Sequence, residues 1–308
     1  MSELLAEETA IQVRPELEGA RLTGSAALLA ALVSALWGTN PTALKIALRG
    51  FPPMGAAGLR FGIAAVGVLV VCRLTGVRAW PRRGEGLWLG VTGLLFLAQI
   101  ATFTLGVYWG TASHSIVLLH TYPFFVVAMA HYLIPGDRAT RGRVVGMGAA
   151  FAGIVALFVG DWGRWQGTQL LGDVIQLASA VLLAGQVVFL KHAVARIDPN
   201  RLVLWQMVVG AVGFLAYSLA WEGLLASTPT TDSTAAMLYQ GLVIGMLCFT
   251  VWTWLLQRHA ATRIAIFGFV APLVGVGVSV VMLGETLSPG LVLAAALVAV
   301  GIVVGNLW

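Results

Sequence analysis

The sequence predicts an all-α integral membrane protein, with ten transmembrane helices forming two inverted five-helix repeats around a central cavity. Three observations lead to this prediction. Hydrophobic residues make up 59% of the 308 and charged residues only 10%, and the mean hydropathy of +0.90 excludes a soluble domain. The apolar residues form ten runs, each able to cross a bilayer core of about 30 Å at ~1.5 Å per residue. Finally, polar residues and prolines of the first half recur in the second half.

Turn residues separate the ten apolar runs. In order, the predicted spans 1 to 10 cover residues 24–46, 53–73, 86–108, 111–134, 142–160, 170–190, 201–221, 235–257, 261–283 and 288–308. Residues 1–22 contain five acids and no basic segment ahead of the first apolar run, so we expect a disordered cytoplasmic tail instead of a signal peptide. We predict the first repeat over residues 23–160 and the second over 168–308.

The distribution of basic residues predicts the orientation. With the N-terminus inside, the inward-facing segments hold 14 of the 18 basic residues, whereas the outward-facing segments hold only Arg49 and Arg164. Because Lys and Arg accumulate in cytoplasmic loops, both termini are predicted to be cytoplasmic, in a multi-pass protein of the inner (cytoplasmic) membrane. We expect Asp137 and Glu285, which follow spans 4 and 9, at the cytoplasmic ends, where they would cap turns or pair with loop arginines.

The internal repeat predicts a transporter. Pro123 and Pro272 are 149 positions apart, and Lys45 matches Lys191 at a separation of 146. Each half holds five spans, and because five is odd the second half enters the membrane in the opposite orientation. Inverted repeats of this kind are typical of transporters whose substrate site lies at the repeat interface, near the middle of the bilayer.

Span 4, with the sequence TASHSIVLLHTYPFFVVAMAHYLI, carries polar groups and a proline in its middle. Such groups are costly in lipid unless neighbouring helices or a water-filled cavity receive them. Pro123 has no N–H, so the carbonyl of Leu119 loses its helical partner and the helix bends. His120 and Tyr122, two residues apart, would point to opposite sides of a straight helix. A bend that serves packing alone is the alternative interpretation.

The sequence resembles the drug/metabolite transporter superfamily and, within it, the EamA-type ten-helix permeases. The resemblance rests on residues 36–41 (LWGTNP) in span 1, residues 59–61 (LRF) in span 2, the prolines of spans 4 and 9, and the endings Pro135-Gly136-Asp137 and 284–288 (GETLS). It implies a central cavity lined mainly by spans 1, 3, 4, 6, 8 and 9. Amino-acid exporters of the YddG type are the closest analogy, and they keep a histidine or aromatic residue at His120, an aromatic at Tyr122 and a tryptophan at Trp252.

Aromatic and amide side chains within these spans are the candidate substrate-binding residues. They are Trp37, Asn40, Gln99, His120, Tyr122, Gln186, Trp252 and Phe269. Pro41, Pro123 and Pro272 are predicted helix kinks. Gln99 and Gln186 could equally serve hydrogen bonding between helices. Arg60 lies near the outer side of span 2, where its long side chain can reach the membrane surface, and we expect an interfacial or structural arginine, with a functional role as the alternative.

The sequence contains no catalytic motif, so we expect no enzyme activity, no cofactor and no metal. His120 and His131 share a helix face but lie ~16 Å apart, too far to chelate one ion. The predicted partners are a small-molecule substrate and the lipid bilayer, without nucleic acid. A monomer should suffice for transport, although an oligomer is possible.

These observations predict export of small neutral or zwitterionic metabolites by alternating access, with amino acids that include aromatic and apolar ones as the first candidates. Every acid lies in the tail, in a loop or near the end of a span. Carriers driven by protons or sodium usually keep an ionisable group near the midplane, so we predict a facilitator. The alternatives are proton-coupled drug or metabolite antiport through His120, and, more remotely, a membrane scaffold without transport activity.

Overall fold

The computed structural model describes residues 24–133, 141–160, 167–194, 196–258 and 266–307. Within these ranges all regular structure is helical. Seven described segments are long and apolar enough to cross a membrane, and three shorter apolar helices, Val144–Gly160, Val270–Leu283 and Pro289–Val304, complete ten. The predicted tail and Asp137 lie outside the described residues.

The helices follow the ten predicted spans, but spans 1, 4, 8 and 9 are divided. In the first half, span 1 contains Gly24–Gly38 and Asn40–Ala47, span 2 is Pro53–Leu74, span 3 is Gly86–Trp109, span 4 contains Ala112–Leu119 and Tyr122–Leu133, and span 5 is Arg141–Gly160. In the second half, span 6 is Gln169–Ala193, and span 7 is Pro199–Tyr217 with a π-helical end, Ser218–Glu222. Span 8 contains Thr231–Tyr239, the π-helix Gln240–Cys248 and Phe249–Arg258, span 9 contains the 3₁₀ turn Ile266–Phe269 and Val270–Leu283, and span 10 is Pro289–Leu307.

The packing of the spans has the pattern of an inverted repeat. Span 2 packs against span 7, and span 5 against span 10. Spans 1 to 5 of the first half correspond in order to spans 6 to 10 of the second half, so each of these two pairs joins a span to its own counterpart. The pair of spans 1 and 9 maps onto the pair of spans 6 and 4, and both of these pairs pack. The predicted fold class is therefore confirmed.

Spans 1 and 9 approach each other through their backbones. A Cβ on Gly38 would collide with the carbonyl oxygen of Ala271 and the backbone of Gly275. Small residues allow this separation, which gives helices in lipid close van der Waals contact. The contact holds span 1 against span 9 at the level where span 1 is interrupted.

One end of the helix bundle, which we call the Lys45 end, is held by a cation at the last turn of span 3. The Lys45 ammonium donates to the carbonyls of Val107 (2.8 Å), Tyr108 (3.0 Å) and Gly110 (2.6 Å). These carbonyls have no partners within their own helix, and a positive charge beside them is favoured by the helix dipole. Lys45 therefore joins spans 1 and 3.

Glu285 makes the complementary contact at the same end. Its carboxylate accepts from the N–H groups of Ala112 (2.7 Å) and Ser113 (2.9 Å) and from the Ser113 hydroxyl. A negative charge at the first turn of a helix is stabilised by the free N–H groups there. The expectation that Glu285 lies at the same end of the bundle as the end of span 4 was wrong. Spans 4 and 9 run in opposite directions, so Glu285 lies beside the start of span 4.

A buried ion pair holds the opposite end, which we call the Arg201 end. The Arg201 guanidinium donates from Nη1 to Glu85 (2.6 Å) and from Nε to the carbonyl of Arg78 (2.8 Å). The pair joins the start of span 3 to the start of span 7, and both side chains are almost fully buried. Each end of the bundle is thus fixed by charged groups that join different spans.

Candidate functional site

The candidate site begins at the interruption in span 1. The first helix ends at Gly38, and Thr39 separates it from the second. The Thr39 hydroxyl lies 2.7 Å from the carbonyl of Leu36 and 2.6 Å from the Tyr239 hydroxyl of span 8. Pro41 cannot donate to the carbonyl of the preceding turn. Span 1 therefore presents backbone polar groups and a hydroxyl towards span 8.

Aromatic rings pack on the Arg201 side of this interruption. The ring of Trp37 lies 5.0 Å from that of Trp252 and 5.7 Å from that of Phe249, measured between centroids. The structure thus brings two of the predicted residues, Trp37 and Trp252, into direct contact. All three rings are only partly buried, so they offer an apolar surface. Phe249 was not predicted.

The interruption in span 4 brings His120 and Tyr122 together. The helix stops at Leu119 and starts again at Tyr122, and the two ring centroids are 6.4 Å apart. The straight-helix argument, which would place these rings on opposite sides, does not hold here. His120 Nδ1 lies 2.9 Å from the carbonyl of Ile116. Because a carbonyl only accepts, Nδ1 carries the proton, and Nε2 of a neutral ring is left as an acceptor.

A polar group that we call the Arg60 cluster consists of Asn40, Arg60 and Gln240. Arg60 Nη1 donates to the Gln240 amide oxygen (2.9 Å), and the Gln240 amide nitrogen donates to the backbone carbonyl of Asn40 (2.7 Å). Arg60 is 3% exposed, and its Cζ lies 4.5 Å from the centroid of the Phe61 ring. Of the two kinds of arginine expected here, the interfacial one was wrong, because the side chain turns into the bundle.

These polar groups share one depth in the bundle. Asn40, Arg60 and His120 each lie seven or eight residues from the Lys45 end of their spans. At ~1.5 Å per residue that is ~10–12 Å, close to the middle of a bilayer core of about 30 Å. The interruptions of spans 1 and 4 and the Arg60 cluster therefore form one layer near the midplane.

The remaining predicted residues have different surroundings. The Gln99 amide nitrogen donates to the Ser179 hydroxyl (3.1 Å), which donates back to the Gln99 carbonyl (3.2 Å), so Gln99 joins spans 3 and 6. Gln186 is buried, and its amide oxygen has no hydrogen-bond partner among the described residues. Pro272 is in the first turn of its helix, where a missing N–H costs little. The side chain of Phe269 lies outside the described part.

Sequence reasoning missed a buried acid–histidine pair near the Lys45 end. His114 Nδ1 lies 2.7 Å from a carboxylate oxygen of Asp173, and both residues are buried between spans 4 and 6. The partners are 59 positions apart, so no local motif reveals them. The same holds for Gln240, whose partners come from spans 1 and 2.

The sequence pattern of the EamA-like transporter family matches residues 24–159 and 170–307, one match in each half. The chain belongs to the EamA-like transporter family. It is therefore a membrane transporter, with a small molecule as its substrate. One solved crystal structure has the same fold, with a TM-score of 0.68 at 20% identity over 92% of this chain and 97% of its own.

Several curated relatives match along almost the whole chain. A "Probable amino-acid metabolite efflux pump" of Salmonella typhimurium is 29% identical over 282 residues, which is 89% of this chain and 92% of the relative. A "Probable terminal-alkyne amino-acid exporter" of Streptantibioticus cattleyicolor is 24% identical over 275 residues, covering 88% and 89%. An "Uncharacterized transporter" of Bacillus subtilis, YoaV, is 23% identical over 272 residues, covering 88% and 92%.

Proposed function

We propose that this transporter exports small zwitterionic or neutral metabolites, and first among them amino acids with apolar or aromatic side chains. One observation carries the proposal. At the interruption of span 1, the aromatic rings of Trp37, Trp252 and Phe249 pack together, and Trp37 precedes Asn40 of the Arg60 cluster by three residues. Binding sites for such solutes combine an apolar wall with a few fixed polar groups. The names of the Salmonella and Streptantibioticus relatives support the same substrate class.

The proposed cycle is alternating access between the two ends of the bundle. The apolar side chain of the solute packs on the Trp37–Trp252 wall, while His120 and Tyr122 face it from span 4. Release then requires separation of spans at the Lys45 end, where Lys45 and Glu285 join spans 1, 3, 4 and 9. We assign the Lys45 end to the outside and both termini to the cytoplasm, on the basis of the positive-inside bias. The proposed location is the cytoplasmic membrane.

We further propose a facilitator whose net flux follows the gradient of the solute. Among the described residues of the midplane layer, the ionisable side chains are Arg60, His120, Tyr122 and Tyr239, and none is a carboxylic acid. Glu85, Glu222 and Glu285 lie at helix ends and accept hydrogen bonds from residues there. Carriers coupled to cations usually place a carboxylate near the midplane.

Proton-coupled antiport is the second candidate, and the buried pair of His114 and Asp173 favours it. Histidine is the usual proton-carrying side chain of proteins near neutral pH, and a carboxylate in contact with it can orient the ring. The pair lies near the Lys45 end, where a proton from outside would enter in the proposed orientation. His120, deeper in the same span, would then be the next group able to accept it.

Counterflow in liposomes tests both candidates. Purified protein should exchange radiolabelled L-phenylalanine or L-leucine against the same unlabelled amino acid, and protein-free liposomes supply the background. With a facilitator, an imposed pH gradient leaves the final level of uptake unchanged. Concentrative uptake driven by that gradient, and abolished in Asp173→Asn or His120→Gln, would replace the facilitator with antiport. Failure to exchange any amino acid of a complete panel would contradict the proposed substrate class.

A further inference from the structure

We propose that Arg60 binds the carboxylate of the transported amino acid, an inference that rests on the proposed function. The residue lies in span 2, which the family resemblance leaves out of the spans that mainly line the cavity. In the structure, however, its guanidinium reaches the inside of the bundle. It contacts Gln240 of span 8 and lies 5.6 Å from the ring of Phe103 in span 3.

The charge of Arg60 is buried without a counter-ion. The described part of the chain supplies no acidic partner to this side chain, in contrast to Arg201, which pairs with Glu85 at 2.6 Å. An uncompensated cation near the midplane is costly, and such residues usually mark a substrate or ion pathway. An anionic group that arrives with the substrate would supply the missing charge, and only while substrate is bound.

The hydrogen bonds of Arg60 leave one of its donors without a partner. Nη1 is taken by the Gln240 amide oxygen, and Nε is buried without a hydrogen-bond partner among the described residues. Arginine binds a carboxylate most strongly through two parallel N–H groups, and Nε belongs to one such pair. The guanidinium also packs over the Phe61 ring, with its Cζ 4.5 Å from the ring centroid. We infer that this unpaired N–H donates to a carboxylate when the spans around it separate during transport.

Asn40 offers a matching acceptor for the amino group. Its side-chain oxygen is also buried without a hydrogen-bond partner among the described residues, while its backbone carbonyl accepts from the Gln240 amide nitrogen. Gln240 is thus bonded to both Arg60 and Asn40, and each of these residues keeps one buried atom without a partner. The atom is a donor, Nε, on Arg60 and an acceptor, the side-chain oxygen, on Asn40. A zwitterion satisfies the two at once. Trp37, three residues before Asn40, then faces the apolar side chain.

The substitution Gln240→Glu tests this assignment with little change of volume. It places a carboxylate against Nη1 of Arg60, which should neutralise the guanidinium permanently and keep the protein folded. As a matched control, Gln206→Glu makes the same change at another buried glutamine, in span 7. Gln206 is the position of the second repeat that corresponds to Arg60, at the same separation of 146 as Lys45 and Lys191. Arg60→Gln is the second variant, and thermal unfolding in detergent monitors the fold of each protein.

The measurement is inhibition of L-phenylalanine counterflow by unlabelled L-phenylalanine and by 2-phenylethylamine, which lacks the carboxylate. In the parent and in Gln206→Glu, the amino acid should inhibit more strongly. In folded Gln240→Glu, its inhibition should weaken at least tenfold, whereas inhibition by the amine should remain or improve. Arg60→Gln should likewise lose the preference for the amino acid.

The outcomes separate the two proposals. If the parent exchanges no amino acid, including L-leucine, the proposed function fails and the role of Arg60 fails with it. If the parent exchanges amino acids but Gln240→Glu or Arg60→Gln keeps the parent's preference for the carboxylate, only the role of Arg60 is overturned. A purely structural arginine would lower the unfolding temperature of Arg60→Gln without changing this preference.

Discussion

At the residue scale, the contact between Trp37 and Trp252 can be removed selectively. Trp252→Ala and, in span 4, Tyr122→Ala each delete a partly buried ring that we place at the solute. Burying a large apolar group is worth ~1.5–3 kcal/mol, and each 1.4 kcal/mol is about tenfold in affinity. We therefore expect counterflow at sub-saturating solute to fall by about tenfold or more.

Trp254→Ala is the matched control for Trp252→Ala, because it removes the same ring two residues further along span 8. The Trp254 side chain is 39% exposed. Its replacement should leave counterflow near the parent's rate, and all three variants should be present in the membrane in similar amounts. Parental transport by both Trp252→Ala and Tyr122→Ala would mean that the solute binds elsewhere.

Single residues also show where sequence reasoning ends. Trp37 could be proposed from its place beside Asn40 and Pro41, and Trp252 from the family resemblance, which implies a tryptophan at that position. The role of Gln240 could not, since its partners lie 180 and 200 positions away. Arg60 was expected near the membrane surface because its depth within span 2 permits that. Its actual direction depends on the space beside Gln240, which only the packed structure defines.

At the element scale, spans 4 and 9 meet near the Lys45 end, where Ser113 and Ser279 place their hydroxyl oxygens 2.8 Å apart. Cysteines at both positions have the proximity that a disulfide needs, for which Cβ atoms lie ~3.5–4.5 Å apart. In a background lacking Cys72 and Cys248, oxidation of Ser113→Cys/Ser279→Cys should join the spans. If the Lys45 end must open, counterflow should cease and then return on reduction.

The controls for this cross-link are the single variants Ser113→Cys and Ser279→Cys. After the same oxidation, each should transport like its own reduced form. Complete cross-linking, verified by mass spectrometry of the intact protein, is required for the comparison. Full-rate counterflow by the completely cross-linked protein would show that spans 4 and 9 stay together at this end throughout the cycle.

Among the elements, the interruptions of spans 1 and 4 were the most predictable. Pro41 and Pro123 cannot complete the hydrogen bond of the preceding turn, so a bend at each is expected from covalent structure alone. The division of span 8 carries no such signal, because no proline lies in Gln240–Cys248. The segment packs against span 2, and its first residue, Gln240, accepts a hydrogen bond from Arg60.

At the scale of the whole molecule, the orientation in the membrane is open to direct measurement. Single cysteines at Arg82 and at Ser227, in a background lacking Cys72 and Cys248, lie in loops at opposite ends of the bundle. Since basic residues are retained in the cytoplasm, a membrane-impermeant maleimide applied to intact cells should label position 227 and spare position 82. Labelling of position 82 from outside would reverse the proposed orientation and the proposed direction of export.

The overall architecture was predictable because ten apolar runs and a repeat of polar residues constrain it strongly. The ends of individual spans were less so, as Glu285 illustrates. Its position after span 9 was correct, but the cytoplasmic side assigned to it conflicted with the opposite orientations that the sequence already predicted for the two repeats. The contact of Glu285 with Ala112 and Ser113 fixes that relation.

The π-helix Gln240–Cys248 sets the rotational phase between the two parts of the candidate site. Twelve residues separate Gln240 from Trp252, and at ~100° per residue an unbroken α-helix would turn their side chains about 120° apart. A π-helix, with i→i+5 bonding, turns closer to ~80° per residue, so nine such residues reduce the difference to roughly 60°. Gln240 can therefore face Asn40 while Trp252 faces Trp37. If this segment were wound as an α-helix instead, the side chain of Trp252 would turn away from the site while Gln240 stayed in place.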